Sequence, residues 1–337
     1  MNILVTGGAG FIGSHTAVEF LEAGHTITVL DNFCNSDRTV LENVEKISGK
    51  NVQLIQADVR DYEALVGALK DNEVQAVVHF AALKAVGESF ERPIEYYETN
   101  VCGIINLLKA MRECDVTQLI FSSSATVYGA PDTLPITEDS PLKTASNPYG
   151  ASKQMCERII TDTCNAGTIR AILLRYFNPI GAHSSGLIGE LPLGIPNNLV
   201  PFISQTAAGM RDKLMVYGDD YDTPDGSGVR DFIHVVDLAK AHVSALNYLQ
   251  DPAVSVDVFN IGTGTGASVL EVIKTFEQVN GVSVPYEIMP RRPGDIASCY
   301  ASAEKAEKVL GWKSKLDLAT ALKDTWRWQQ HTSAKKE

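Results

Sequence analysis

The chain has 337 residues, of which 45% are hydrophobic and 21% are charged, and its formal net charge is −12. A chain of this length can bury a large core, either in one extended domain or in two domains. The acidic balance argues against nucleic acid or an anionic membrane as the main partner, because both attract an excess of Lys and Arg.

The spacing of the cysteines and histidines gives no sign of a metal site. The six cysteines include no C-x-x-C pair, and the seven histidines show no ligand spacing. The acidic stretch from Asp219 to Gly226 has Pro224 where a calcium loop of the EF-hand type needs Asp or Asn, so we interpret it as a surface loop. No signal peptide and no apolar run long enough to span a membrane is evident. We therefore expect a cytoplasmic protein without metal.

The N-terminal segment is typical of a dinucleotide site. Ile3–Val5 predicts a strand that ends at a glycine-rich turn, Gly7 to Gly13, and Ser14–Ala23 predicts a helix. Backbone amides in such a turn can hold a pyrophosphate, although a tight turn without a ligand has the same pattern. A second predicted strand, Thr26–Leu30, ends in Asp31. Because a carboxylate there suits the ribose hydroxyls of NAD and repels the 2′-phosphate of NADP, NAD is the expected cofactor.

Strands and helices continue to alternate beyond Asp31. Strands are predicted at Val52–Asp58, Ala76–Phe80 and Gln118–Phe121, and helices at Tyr62–Lys70 and Asn100–Arg112. Ala81–Gly87 is expected to be a loop of mostly small residues, and the strand at Gln118 delivers the three serines Ser122–Ser124. This alternation predicts an α/β protein with a Rossmann-type, doubly wound parallel sheet.

Tyr149 and Lys153 form a candidate catalytic pair. Pro148 suits the first turn of a helix, which would put the two side chains on one face, one turn apart. A nearby ammonium would lower the pKa of the phenol from its usual value of about 10 towards neutrality, where tyrosine can act as a base. A half-buried tyrosine beside a solvated lysine has the same spacing, so the pair alone leaves both interpretations open.

The second half of the chain predicts a smaller α/β substrate-binding domain. Arg170–Tyr176 reads as a further strand, whereas loops rich in Gly, Pro and Asn begin at Gly181. We expect an NAD-binding domain over residues 1–180 and a substrate domain over residues 181–337. Val258–Gly262 reads as a strand, so that a segment near residues 230–262 is expected to return to the first sheet.

Several motifs, taken together and in this order, resemble the extended short-chain dehydrogenase/reductase family, and closely its UDP-sugar 4-epimerases. They cover about residues 1–329 and are the glycine turn, Asp31, Phe80–Ser89, Ser122–Ser124, Tyr149-x-x-x-Lys153, Arg175–Pro179, Ile195–Leu199, Gly228–Val235 and Arg291–Asp295.

The resemblance implies interconversion of UDP-glucose and UDP-galactose by inversion at C4 of the sugar. Tyr149 would remove the proton of the 4-hydroxyl, directly or through Ser124, while the C4 hydride passes to NAD+. The 4-keto sugar would then turn over, and the hydride would return to its other face. Lys153 would lower the pKa of Tyr149, together with the positive charge of the cofactor, and would hold the nicotinamide ribose.

The resemblance also assigns residues to three sets. The catalytic residues are Ser124, Tyr149 and Lys153. The expected contacts to tightly bound NAD come from Gly7, Gly10, Phe11, Ile12, Gly13, Asp31, Asn32, Asn35, Ser36, Asp58, Val59, Phe80, Ala81, Ala82, Lys84, Asn100, Ser122, Tyr149, Lys153, Tyr176 and Phe177. The expected contacts to the UDP-hexose come from Lys84, Ser124, Tyr149, Asn178, Asn198, Leu199, Arg230, Arg292, Asp295 and Cys299, with the arginines suited to a pyrophosphate.

Two positions depart from the bacterial pattern of the family. Thr99 stands where some members have an asparagine near the cofactor, although Asn100 remains. Cys299 stands where some epimerases have a tyrosine at the edge of the sugar pocket. Because a thiol is much smaller, we expect UDP-N-acetylglucosamine and UDP-N-acetylgalactosamine to be substrates as well; the alternative is that Cys299 only fills core space.

Other functions share parts of this pattern. A sugar-nucleotide 4,6-dehydratase needs an acid and a base after Ser124, where this chain has Ala125 and Thr126. Another NAD-dependent nucleotide-sugar oxidoreductase would accumulate NADH, and a non-catalytic NAD-binding sensor would not need Tyr149. The family often pairs through helices near Asn100–Arg112 and Gly150–Cys164, which implies a homodimer.

Overall fold

The computed structural model describes residues 1–292 and 295–334. Pro293 and Gly294 of the predicted Arg291–Asp295 motif, and residues 335–337 of the predicted second domain, lie outside the described residues. The strands are β1 (Asn2–Thr6), β2 (Thr26–Asp31), β3 (Gln53–Gln56), β4 (Ala76–His79), β5 (Gln118–Ser124), β6 (Arg170–Tyr176), β7 (Asn178–Ile180), β8 (Leu214–Tyr217), β9 (Val229–Arg230), β10 (Phe232–His234), β11 (Val256–Ile261), β12 (Ala267–Ser268), β13 (Tyr286–Met289) and β14 (Ser298–Cys299).

The helices connect these strands. They are α1 (Phe11–Glu22), α2 (Thr39–Ser48), α3 (Tyr62–Asp71), α4 (Val86–Glu91), α5 (Pro93–Tyr97), α6 (Gly103–Glu113), α7 (Pro148–Asn165), α8 (Leu199–Ala207), α9 (Val235–Tyr248), α10 (Val269–Asn280), α11 (Glu304–Leu310) and α12 (Leu318–Ala334). Two shorter turns are a π-helical turn at Glu98–Cys102 and a 3₁₀ turn at Ala125–Tyr128. No helix in the described part of the chain is long and apolar enough to cross a membrane.

A seven-stranded parallel sheet forms the centre of the molecule, and it confirms the predicted Rossmann-type α/β fold. Its strand order is β11-β6-β5-β4-β1-β2-β3, and each neighbouring pair is parallel. The chain runs outward from β1 to β3 and then returns to place β4 on the other side of β1. Ligands of open parallel sheets bind at such a reversal, beside the carboxyl ends of the strands.

Two apolar layers cover the faces of this sheet. On one face, Val5 of β1 and Phe259 of β11 pack with residues of α1, α2 and α9. On the other face, Leu4 of β1 and Phe121 of β5 pack with residues of α3, α6 and α7. Adjacent residues of β1 therefore point into opposite cores, which is why the strand is apolar throughout rather than alternating.

The remaining strands form three small sheets next to the carboxyl edge of the main sheet. β7 pairs with β10, β8 pairs with β13, and β9 lies between β12 and β14. Helices α8, α10 and α12 enclose a separate core against these strands, with Phe276 and Leu322 fully buried in it. Strand β11 instead pairs with β6 along six residues and belongs to the main sheet.

The structure differs from the sequence prediction mainly in where elements begin and end. Helix α2 was not predicted, and Ser122–Ser124 belong to β5 rather than following it. The expected loop Ala81–Gly87 ends at Ala85, because α4 begins at Val86. The expected helix Asn100–Arg112 starts earlier, as the π-helical turn at Glu98. Since these differences are element boundaries or a short amphipathic helix, local composition was a weak guide to them.

Candidate active site

The glycine turn lies at the point where the sheet reverses. Gly7 follows β1 in a left-handed conformation (φ +69°), and a β-carbon there would lie 2.7 Å from the amide nitrogen of Ala81, which follows β4. A β-carbon at Gly13 would lie 2.3 Å from the carbonyl oxygen of Gly7. The two strand ends and α1 can therefore approach one another only because these positions lack side chains.

The N-terminus of α1 is open towards this turn. Its N-cap residue, Gly10, provides no side-chain cap, and the first turn contains no acidic residue. The backbone N–H groups of Phe11, Ile12 and Gly13 in that turn have no intrahelical acceptor. Such a set of donors, at the positive end of the helix dipole, suits a pyrophosphate group.

Asp31 closes the site on the side of β2. Its carboxylate accepts hydrogen bonds from the backbone amide of Ala9 at 3.0 Å, the amide of Phe33 at 2.9 Å and the hydroxyl of Ser36 at 2.9 Å. These bonds orient the carboxylate and leave about one of its four lone-pair positions for a ligand. The predicted residue Asn35 is exposed in the same loop.

A second carboxylate lies beside the first. Asp58 accepts hydrogen bonds from Asn32 at 2.8 Å and from two nitrogens of Arg60, each at 2.9 Å. These contacts lower the pKa of Asp58 to about 2, so that it is ionised at neutral pH. Val59, the next residue, is buried. The carboxylates of Asp31 and Asp58 would repel a 2′-phosphate, and the free backbone amides at the start of α1 suit a pyrophosphate. These residues therefore fit an adenosine diphosphate group without a 2′-phosphate.

The predicted catalytic residues meet at the carboxyl end of β5. Ser124 is the last residue of β5, and its Oγ accepts hydrogen bonds from the amide and the hydroxyl of Thr126 at 3.2 and 3.0 Å. Tyr149 is the second residue of α7, which Asn147 caps through its side-chain oxygen and which starts at Pro148. Burial raises the pKa of the Tyr149 phenol, and the nearby hydroxyl of Ser124 offsets part of that rise. The two hydroxyl groups therefore lie near each other, as the predicted proton transfer between them requires.

Lys153 is buried behind Tyr149. Its ammonium donates to the carbonyl of Ser122 at 2.7 Å and lies 6.0 Å from the centre of the Tyr149 ring. Burial lowers the pKa of Lys153 to about 8 and raises the pKa of Tyr149 above its ordinary value. Loss of solvation is the largest influence of the protein on the pKa of Tyr149. That Lys153, together with the positive charge of the cofactor, lowers this pKa stays a prediction.

Asn100 fixes the loop that follows β4. Its side-chain amide exchanges two hydrogen bonds with the backbone of Leu83, at 2.8 and 3.0 Å, and donates a third to Ser152 of α7 at 2.9 Å. These bonds use the amide within the protein, so the residue holds the Ala81–Ala85 loop against the catalytic helix. Ala82 in this loop and Phe80 at its start are partly buried.

The residues predicted to bind the sugar nucleotide form two groups. In the first, Lys84 and Asn198 share one oxygen of Glu190, at 3.2 and 2.6 Å. Leu199 starts α8, and Asn198 precedes it without a side-chain cap bond. Glu190 was missed from the sequence, since no motif marks it.

The second group joins the strands β9 and β14. Asp295 lies 3.9 Å from Arg230 and 3.2 Å from Arg292, and Arg292 stacks on Tyr217 with its guanidinium carbon 4.4 Å from the ring centre. Cys299 is the strand partner of Arg230. Two cations held by one carboxylate retain a net positive charge, which suits a pyrophosphate.

Cys299 also connects this group with the catalytic strand. It packs into an apolar cluster with Ala125, Tyr128 and Phe177. Of these, Ala125 directly follows Ser124 in the chain, and Phe177 directly follows Tyr176. Burial raises the pKa of Cys299 to about 11, so the thiol is uncharged at neutral pH. The structure thus brings Cys299 to the same strand ends as the catalytic residues.

Two further predicted residues lie in the framework of the site. The hydroxyl of Tyr176 is bonded to the buried His242 of α9, so its side chain faces the core below the site. The backbone amide of Asn178 donates to the carbonyl of Asp231 at 2.9 Å, which links β7 to the residue next to Arg230.

The chain is similar to known proteins over nearly its whole length. The family model described as GDP-mannose 4,6 dehydratase matches residues 4–325. The UDP-glucose 4-epimerase of Bacillus subtilis is 53% identical, over 98% of this chain and 97% of its own length.

Two solved structures are similarly close. A UDP-glucose-4-epimerase from Stenotrophomonas maltophila, with bound NAD and formylated UDP-arabinopyranose, has 49% identity and a TM-score of 0.97, with 99% of each chain covered. A UDP-glucose 4-epimerase from Bifidobacterium longum, in complex with NAD+ and UDP, has 51% identity and a TM-score of 0.95, again with 99% of each chain covered.

The contact between Gly7 and Ala81 predicts the effect of one methyl group. We expect Gly7→Ala to reduce the NAD content of the purified protein strongly, because the new β-carbon would push apart the strand ends that form the cradle. Gly49→Ala is the matched control, since Gly49 also has a left-handed conformation (φ +66°) but nothing lies within 4 Å of its added β-carbon. It should lose only about 1 kcal/mol of stability. Equal NAD content in both variants would contradict the prediction.

Proposed function

The chain belongs to the UDP-glucose 4-epimerase family, a group of NAD-dependent isomerases, and we propose that Ser124, Tyr149 and Lys153 are its catalytic residues. The observation that carries the proposal is the convergence of these three side chains at the end of β5, beside the glycine turn and Asp31. The reaction is the interconversion of UDP-galactose and UDP-glucose through a 4-keto sugar.

The glycine turn, the first turn of α1, Asp31 and Lys153 would hold NAD, which would supply the group that accepts and returns a hydride at C4. Tyr149 accepts the proton of the 4-hydroxyl, directly or through Ser124, and later returns it. Lys153 keeps a positive charge at the site while it is protonated. As its pKa is about 8, this charge is present at neutral pH and is lost as the pH rises through that value.

Binding of the nucleotide by its two ends would leave the sugar free to turn. We propose that Arg230 and Arg292 bind the pyrophosphate after Asp295 has oriented them, and that Asn178, Asn198 and Leu199 bind near the uridine. Lys84 and its partner Glu190 would border the sugar on the other side. The exposed position of Arg292, compared with the half-buried Arg230, suits a residue that closes over the ligand.

The name of the matching family model raises the alternative of dehydration. That reaction needs a carboxylic acid and a carboxylate next to Ser124. Here Ala125 has no polar side chain, and Thr126 uses its hydroxyl to donate to Ser124. These residues support epimerisation over loss of water.

We further propose that the chain divides near residue 180 into an NAD-binding part (1–180) and a substrate-binding part (181–337). The pairing of β11 with β6 and the packing of α9 on α1 support the return of a segment near residues 230–262 to the NAD-binding part. The six cysteines are free thiols, which agrees with a reducing compartment such as the cytoplasm.

Exposed apolar side chains on neighbouring helices support a homodimer. Phe90 of α4 is 61% exposed, Ile94 of α5 is 73% exposed, and Ile105 of α6 and Met155 of α7 are also exposed. Helices α4, α5 and α6 all contact α7, so these side chains are carried by one group of helices. A second copy of the chain would cover such a surface by two-fold pairing.

Replacement of the phenol should slow turnover strongly. Tyr149→Phe is expected to lower kcat by about 10²–10⁴-fold, the usual contribution of an acid–base group, while the protein retains NAD. The assay incubates purified protein with UDP-galactose and measures UDP-glucose without added NAD. Tyr62→Phe, at a partly buried tyrosine away from the site whose hydroxyl donates to Glu113, is the control. Full activity of Tyr149→Phe would refute the assignment, and steady accumulation of NADH by the unaltered protein would indicate a dehydrogenase.

The size of residue 299 should determine which sugars are accepted. We expect turnover of UDP-N-acetylglucosamine by the unaltered protein and its selective loss in Cys299→Tyr, because a bulkier ring would occupy the space of the acetamido group. Turnover of UDP-galactose should persist in both. Cys299→Ser, which changes volume little, should retain both activities. If the unaltered protein converts only UDP-galactose, Cys299 merely fills space.

A charge in the exposed apolar surface should separate the protomers. Ile105→Asp is expected to convert a dimer to a monomer in light scattering, because an unpaired carboxylate would be buried at the interface. Val309→Asp on α11, where the side chain is 41% exposed, should leave the mass unchanged. A monomeric unaltered protein would refute the dimer.

A further inference from the structure

A buried ion pair lies directly behind the catalytic residues. Glu157 follows Lys153 by one turn of α7, and its carboxylate accepts hydrogen bonds from Nε and Nη2 of Arg175 at 2.9 and 2.7 Å. Ser123, the neighbour of Ser124 in β5, donates to the same carboxylate at 2.5 Å. The side chains of both ions are only 6% exposed. One carboxylate thus joins α7, β5 and β6.

The arginine is fixed on its other side as well. Its Nη1 donates to the hydroxyl of Tyr128 at 2.9 Å, and this hydroxyl donates to Asn260 of β11 at 2.7 Å. Asn260 in turn donates to the carbonyl of Ile136 at 3.0 Å, and the amide of Ile136 donates to the carbonyl of Tyr300 at 2.9 Å. The series of hydrogen bonds therefore reaches the residue next to Cys299.

We propose that Glu157 and Arg175 are positioning residues that hold Ser124 and Lys153 in register and keep a negative charge below the lysine. The proposal rests on the catalytic roles proposed above for Ser124, Tyr149 and Lys153. Glu157 acts through its neighbours: it holds Ser123, and thereby the end of β5, at a set distance from the helix that bears Tyr149 and Lys153. A shift of about 1 Å between such groups can cost about 100-fold in rate.

The charges around Lys153 support an electrostatic part of this role. Burial lowers its pKa, whereas the thiol of Cys156 and, to a smaller extent, Glu157 on the same helix raise it. From β4, His79 faces the lysine, but burial lowers the pKa of His79 to about 3, so it is neutral. From β5, Ser122 contributes only a carbonyl, and Tyr149 is protonated below its raised pKa. Glu157 is therefore the carboxylate that stabilises the charged lysine.

A purely structural pair would not need to be ionic. Hydrophobic residues of similar volume often replace buried ion pairs with no loss of stability, since desolvation of both charges offsets their attraction. Here Glu157 accepts a hydrogen bond from Ser123, and Arg175 donates one to Tyr128. These polar groups are buried and lie beside the proposed catalytic residues. The directed hydrogen bonds of the pair therefore suit the orientation of α7 against β5 and β6 more than an increase in stability.

The test substitutes the carboxylate by its amide. In the NAD-containing protein, Glu157→Gln is expected to lower kcat by about 10- to 100-fold with KM for UDP-galactose within about twofold. The alkaline limb of the pH profile of kcat should also move to lower pH, because Lys153 then loses its proton more easily. Glu304→Gln, which breaks an exposed pair with Lys308 four residues on, is the matched control and should change neither value.

A second variant guards against misfolding, since Glu157→Gln leaves the charge of Arg175 buried without a counter-ion. Glu157→Gln/Arg175→Met removes both charges and should fold and retain NAD, yet keep the loss in kcat and the pH shift. A double variant with unaltered kcat and pH profile would overturn the inference. So would a loss of activity that parallels loss of NAD or of folded protein, without a pH shift. If the unaltered protein has no epimerase activity, the proposed function fails instead.

Discussion

The parallel pairing of β1, β4, β5 and β6 is the constraint on which the candidate site depends. Parallel strands bring all their carboxyl ends to one edge, so Gly7, Ala81, Ser124 and Tyr176 lie along a single border although they are far apart in sequence. The reversal of strand order between β1 and β4 opens the space there. Helix α7 then needs only to start at the same edge to add Tyr149.

Burial of charge sets the chemistry at that edge. Lys153, Glu157 and Arg175 are almost completely enclosed, and each is hydrogen-bonded to groups of the neighbouring strands. In such surroundings solvation is the largest influence on ionisation, and it shifts Tyr149 and Lys153 in opposite directions. A phenol with a raised pKa needs additional positive charge before it can act as a base near neutrality. The protein supplies part of this charge through Lys153, whose protonation Glu157 in turn supports.

The residues proposed to recognise the substrate are arranged differently, as partly exposed groups on short strands and loops. Arg230, Arg292 and Asp295 form pairs that water still reaches, and Lys84 and Asn198 converge on Glu190. Exposed pairs of this kind contribute little to stability and can rearrange around a ligand. A rigid arrangement of the proposed catalytic residues, opposite side chains that can rearrange around the ligand, suits a reaction in which the nucleotide is held and the sugar turns.

The sequence by itself determined the Rossmann-type sheet, NAD as cofactor and the family, because each depends on local patterns: an apolar run, a glycine turn, an acidic residue after the second strand. The same local rules placed Tyr149 and Lys153 one turn apart on α7. They could not give the extent of β5, the helix α2 or the π-helical turn before α6, since packing of neighbouring elements decides such boundaries. Only the tertiary structure joined Glu157 to Arg175 and Ser123, and Glu190 to Lys84 and Asn198. It also decided that burial raises the pKa of Tyr149, because solvation depends on every segment that surrounds a side chain and not on its neighbours in the chain.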